Sequence, residues 1–187
     1  MIIGISGAQG QGKTTLIQAA IEAHDGIVDG GLQTARTLLD DWGYSLTEIN
    51  KYMPLKIRYQ ENLLFEHTLS LTDLQRHSDT VLVERTFADI FVYALVSVGP
   101  FNEYSDWLND YAQQCMEAQR ELFECTIFLT GRDYEPEEDS VRSTNPHFSA
   151  MVDNLIAIYM DQFGENNVFH LNHPGLDERV AFLLSQI

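Results

Sequence analysis

Gly7-Ala8-Gln9-Gly10-Gln11-Gly12-Lys13-Thr14 fits the pattern G-x-x-x-x-G-K-S/T at every fixed position. Glycines let such a segment curl until successive N–H groups converge on phosphate oxygens, and a helix that follows adds its positive amino-terminal end. In that pattern Lys13 reaches the β and γ phosphates of a nucleoside triphosphate and the Thr14 hydroxyl binds a magnesium ion, with Thr15 next on the helix. The residues therefore predict binding of ATP and Mg²⁺. They do not separate a kinase from a GTPase, a helicase or an ATP-driven switch, which share the cradle.

The loop works only between a strand and a helix, and the sequence supplies both. Residues 2–6 form a short β-branched run, and Thr14 to His24 carries apolar residues at helical spacing. Ile27-Val28 reads as a very short second strand, and 33–42 as a helix stopped near Gly43. Residues 45–77 read as helical with an interruption at Pro54, and the run from Ser70 to Asp73 is expected to cap a separate turn. Thr80 to Val83 is continuous and apolar, as a strand buried on both faces must be, and Glu84-Arg85 follow at its carboxyl end. Helices are expected over 88–98, 104–123, 148–163 and 176–187, and strands over 126–129 and 168–171. Strands alternating with helices predict a three-layer α/β/α sandwich with a mainly parallel sheet, whose ligands bind beyond the carboxyl ends of the strands.

At 187 residues the chain is expected to be one domain over 1–187. Its 28 acidic and 11 basic residues give a net charge of −17, which repels phosphate backbones and anionic membranes on average. A few cations converging in one cleft still make an anion site, so each basic residue counts separately. Cys115 and Cys125 lack the spacing of a disulfide framework or a zinc site and read as buried free thiols of a reducing compartment. No apolar stretch approaches the ~20 residues of a membrane span, and the amino terminus lacks the features of a cleaved signal. A cytoplasmic protein is expected, with no membrane partner.

Three further segments resemble a known family. Glu84-Arg85-Thr86 with Asp89 and Tyr93 matches the D/E-R-x-x-x-D-x-x-x-Y pattern that follows the third strand in thymidylate kinases, deoxynucleoside kinases and nicotinamide riboside kinase-like proteins. Asp139-Ser140-Val141-Arg142 is similar to the D-G-x-R lid of the same relatives, with Ser140 in place of glycine. Gln33-Thr34-Ala35-Arg36 is similar to the E-x-A-R segment that lines the acceptor pocket of riboside kinase-like proteins, except that Gln33 replaces the acid. A neutral amide cannot act as a base, so that role would pass to Glu84 or Asp29, or be dispensable.

The resemblance implies a P-loop fold of the nucleotide kinase type, in its compact, phage-like form, with a lid segment at 131–146. It implies that Gly7 to Thr15 hold the nucleotide, that Thr14 and Glu84 hold the metal, and that Lys13, Glu84, Arg85 and Arg142 are catalytic, with Arg132 second to Arg142. Arg36, Asp29, Asp89 and Tyr93 would bind the acceptor. The implied activity is transfer of the γ-phosphoryl group of Mg-ATP to a nucleoside, a nucleoside monophosphate or a similar hydroxyl. One alternative is phosphorylation of 5-hydroxymethyluracil within phage DNA, against which the −17 charge counts. Another is a nucleotide-dependent regulatory protein without kinase activity. A GTPase is disfavoured because no N-K-x-D motif occurs, and a multi-subunit AAA-type motor because it needs a longer module. The sequence leaves a homodimer open.

Overall fold

The computed structural model describes residues 1–7, 10–30, 35–100, 103–130, 146–163, 167–172 and 175–187, with the backbone alone at 35, 36 and 146. Five strands, β1 (Ile2–Ser6), β2 (Ile27–Asp29), β3 (Thr80–Glu84), β4 (Cys125–Leu129) and β5 (Val168–Leu171), form one sheet in the order β2-β3-β1-β4-β5. Every pairing is parallel. The three inner strands are apolar along their length because both faces are covered, while β2 and β5 lie at the edges and are partly exposed.

Strand alternation sorts the core into two layers. Ile2, Val81, Val83 and Phe128 face α4 (Met53–His77), α5 (Phe87–Val98), α6 (Ser105–Leu122) and α7 (Pro146–Phe163). Ile3, Ile5, Leu82, Ile127 and Leu129 face α1 (Lys13–Ala23) and α8 (Leu176–Leu184). A smaller cluster joins α2 (Ala35–Trp42) and α3 (Leu46–Lys51) to Tyr59 of α4. The α/β sandwich expected from the alternation is therefore the fold. Gly4 brings the central strand against the start of α5, since a Cβ there would lie 2.6 Å from Thr86 Cγ2 and 2.9 Å from Phe123.

One expected break is absent. Ser70 to Asp73 do not cap a new turn, because α4 runs without interruption from Met53 to His77. The Thr68 and Thr72 hydroxyls bond back to the carbonyls of Leu64 and Thr68 at 2.8 Å, which accommodates them inside the helix while Leu64 and Leu71 hold it in the core. The break between α3 and α4 falls at Tyr52, so that Pro54 sits in the first turn of α4, where its missing N–H costs nothing.

Candidate active site

The parallel register brings Ser6, Glu84 and Leu129 to one edge of the sheet, because Ile5 pairs with Glu84 and Ser6 with Phe128. From that edge Gly7 leads into the glycine-rich segment, with φ of 132° at Gly7, 79° at Gly10 and 78° at Gly12, all in the range that disfavours a side chain. A Cβ at Gly7 would also lie 2.9 Å from the Leu129 carbonyl. Ala8 and Gln9 lie outside the described residues. Gly12 immediately precedes α1, so the helix starts at Lys13, whose first-turn N–H groups have no carbonyl of their own helix to meet.

Lys13 is buried and donates from Nζ to the Gly7 carbonyl at 2.9 Å. Burial, reinforced by the Arg85 guanidinium, lowers its pKa from 10.5 to about 7, against the opposing pull of Glu84, Asp89 and Asp153. Desolvation outweighs the pull of these three carboxylates on the ammonium, and an incoming polyphosphate would add to that pull. Thr14 donates to Glu84 Oε2 at 2.6 Å. This adjacent hydroxyl and carboxylate, open to solvent, are the hard oxygen donors that magnesium takes alongside phosphate oxygens and water, so the residues present fit that ion. Thr14 and Thr15 border an open depression of about 400 Å³ along α1, lined also by Gln18, Glu22 and Leu176.

Beyond Glu84 the backbone turns sharply. Arg85 has φ of 83°, the single non-glycine residue with positive φ among those described. Such a conformation costs on the order of 1–3 kcal/mol and persists only where the surroundings impose it. Here three consecutive amides are fixed by three different groups: Arg85 N–H donates to Ile5 O at 3.0 Å, Thr86 N–H to Asp89 Oδ2 at 2.9 Å, and Phe87 N–H to Gln119 Oε1 at 3.0 Å. Gln119 in turn donates to Thr126 Oγ1 at 2.9 Å, tying α6 and β4 to the turn.

The structure gives Asp89 a different place from the acceptor-binding one expected of it. Its side chain is wholly buried, and Oδ2 accepts from Ser6 Oγ at 2.6 Å and Thr86 Oγ1 at 2.7 Å as well as from the Thr86 N–H. It forms a capping box with Thr86 at the start of α5, which is why a T-x-x-D spacing stands there. The carboxylate thus lies beneath the turn and joins it to the last residue of β1. Arg85 reaches Asp89 Oδ1 at 3.5 Å and the Tyr93 hydroxyl at 3.4 Å, and its guanidinium sits 4.9 Å from the centre of the Tyr93 ring. Its side chain remains 29% exposed, enough to meet a ligand.

Asp29 lies at the end of β2, exposed, where it accepts from Gln18 at 3.1 Å. The Arg36 side chain, Gln33, Arg132, Ser140 and Arg142 lie outside the described residues. Three groups at the site, two of them buried, carry no local signal in the sequence. Gln119 reaches the turn from α6. Asp153 on α7 accepts from Gln11 Nε2 at 3.3 Å, and Arg179 on α8 donates to the Gln11 carbonyl at 3.1 Å. Each meets a partner far away along the chain, so only the fold could reveal them.

Comparison with known proteins bears on the fold. The profile of a family described as AAA domain matches residues 2–179. No curated protein matches. Among solved structures, thymidylate kinase from Candida albicans superposes with a TM-score of 0.63 at 14% identity, covering 100% of this chain and 90% of that one. Deoxyadenosine kinase from M. mycoides, solved with the products dCMP and dCDP, gives 0.65 at 13% identity, covering 100% and 98%. The same enzyme with bound dATP gives 0.62 at 16% identity over the same shares. The chain therefore has the P-loop nucleotide kinase fold.

Proposed function

The chain belongs to the AAA domain family, and from that premise we propose that it is an Mg-ATP-dependent phosphotransferase acting on a nucleoside, a nucleoside monophosphate or a similar hydroxyl acceptor. The observation that carries the reading is the convergence of Lys13, the Thr14–Glu84 pair and the constrained Arg85 at one edge of the sheet. A glycine-rich turn needs only its glycines. A strained arginine placed beside a carboxylate that already touches the loop's threonine is arranged for chemistry.

Phosphoryl transfer asks the protein mainly to position the reactants and neutralise charge. The loop amides and Lys13 would hold the β and γ phosphates. Thr14 and Glu84 would hold magnesium, which when bound draws negative charge from the phosphate oxygens. Arg85 would face the phosphoryl group in transit, with Tyr93 keeping the guanidinium in place. In the reaction the bond from the γ phosphorus to the bridging oxygen breaks, ADP leaves, and the acceptor oxygen forms the new bond while its proton passes to Glu84 or to water. Arg142 and Arg36, through their motif resemblance, would complete the charge neutralisation and the acceptor pocket. The neutral Gln33 leaves Glu84 as the better-placed acid of the two considered, since it touches Thr14 of the phosphate loop. ATP and reduced buried thiols both go with a cytoplasmic setting. Burial raises the thiol pKa of both Cys115 and Cys125, that of Cys125 to about 11.

The test is transfer of label from γ-labelled Mg-ATP to a panel of nucleosides, nucleoside monophosphates, nicotinamide riboside and hydroxymethyluracil-containing DNA. Label on one free acceptor, lost in Lys13→Ala, is the expected result. Label on the DNA alone would move the substrate to the polymer. ATP binding with no transfer to any acceptor would refute the kinase and leave a nucleotide-dependent switch.

A further inference from the structure

A loop whose N–H groups converge on phosphate turns carbonyl groups outward, and buried carbonyls need donors. Three carbonyls of this loop have them. Gly7 O takes Lys13 Nζ at 2.9 Å, Gly12 O takes the Leu16 N–H at 2.9 Å within α1, and Gln11 O takes the Arg179 guanidinium at 3.1 Å. The first two donors come from the motif and its helix. The third comes from the last helix of the chain, from an arginine that is only 4% exposed.

Gln11 is held a second time. Its side chain is 2% exposed, and Nε2 donates to Asp153 on α7, while Oε1 has no partner among the described residues. A buried amide oxygen left unpaired costs free energy, so the side chain stays where it is because the Asp153 bond and the packing around it outweigh that cost. Gln11 is thus gripped from α7 through its side chain and from α8 through its main chain, immediately before the glycine that opens α1.

We propose that Arg179 is a positioning residue for polyphosphate binding: it holds the Gln11 carbonyl outward and, together with the Gln11–Asp153 bond, fixes the loop amides facing the phosphates. This role rests on the nucleotide-binding reading of the loop. The guanidinium also brings a fixed positive charge behind the loop without touching the ligand, where low polarity strengthens its effect. The brace acts on phosphate alone, so it serves any ligand that carries a diphosphate.

The experiment measures equilibrium binding of fluorescent ADP, and of inorganic pyrophosphate by competition, to the full chain and to Arg179→Met, Arg179→Lys and Gln11→Met, with urea denaturation of each. Arg179→Met is expected to weaken both ligands by the same factor, on the order of tenfold, as loss of a charged hydrogen bond implies. Arg179→Lys should recover part of that loss, and Gln11→Met should show a smaller parallel one. A folded Arg179→Met with wild-type affinity, or one weakened for ADP and not for pyrophosphate, overturns the brace even if its stability falls. Should Arg179→Met not fold, wild-type affinity in both of the other variants overturns it equally. A wild-type protein that binds neither ligand refutes the nucleotide reading and the brace with it, whereas binding by the wild type and every variant alike refutes the brace alone.

Discussion

Replacing Lys13 by methionine should abolish function and yet stabilise the fold. Lys13 titrates near 10.5 in an open chain and at about 7 in the folded protein. At about 1.36 kcal/mol per pH unit, holding the ammonium in the fold costs roughly 5 kcal/mol when both states are protonated. Because the folded pKa is lowered, the unfolded chain binds more protons between about pH 7 and 10.5, so stability from this group rises with pH across that window. The cost is complete below the folded value and gone above the unfolded one. Lys13→Met removes the cost and fills the space, but forfeits the bond to the Gly7 carbonyl, worth about 1.5–3 kcal/mol as a hydrogen bond to a charged group. The balance is a gain of roughly 2–3 kcal/mol at about pH 6 that shrinks steadily as the pH rises above about 7. Urea denaturation of both proteins in chelating buffer without nucleotide measures it, and comparison at each pH cancels the titrating groups that do not interact with Lys13. A methionine variant less stable than wild type at the lower pH, or a difference that stays constant with pH, would show that Lys13 is not held as a desolvated cation.

Two other perturbations separate chemistry from architecture. Glu84→Gln keeps an acceptor for the Thr14 hydroxyl but removes the charge offered to magnesium, so transfer should fall by about a hundredfold or more while metal-free ADP binding stays near wild type, as kinetics and fluorescence titration can show. Asp89→Ala strands the Ser6 hydroxyl and the Thr86 N–H in a buried site and should lose roughly 2–4 kcal/mol in urea denaturation, whereas a loss under about 1 kcal/mol would mean the turn does not depend on this carboxylate.

What could be read from the sequence divides along a physical line. The phosphate loop is legible because its requirements are local: glycines for positive φ, a lysine and a threonine at fixed spacing, a strand before and a helix after. The inner strands are legible because burial on both faces demands unbroken apolar runs. β2 is harder, since only Ile27 of its three residues is buried. The residues from Ser70 to Asp73 mislead because tertiary packing of α4 overrides their capping preference. Asp89 is legible as part of a pattern, but its burial is not, because the spacing that resembles an acceptor-binding motif is also the spacing of a capping box. Gln119 and Arg179 are invisible for a different reason, their partners lying 32 and 168 residues away.

The net charge of −17 also takes on a structural meaning. A strongly acidic protein is a poor general anion binder, so an anionic ligand must be met by cations concentrated in one place and shielded from the surface field. Lys13 and Arg179 are buried and Arg85 is largely so, each with a bond to the loop or its neighbouring turn, while most of the acidic residues lie at the surface. Buried cations interact through a medium less polar than water, so these three exert a stronger local potential than the same number of exposed arginines would. They also resist screening by salt, because the Debye length governs exposed charges far more than buried ones. Binding of ADP should accordingly lose less affinity on addition of salt than binding to an open basic patch does. The same surface repels long polyanions, which approach the field of the whole molecule before they reach the cleft. On the proposed reading, acidity outside and cations within would favour a small phosphorylated ligand over a nucleic acid chain.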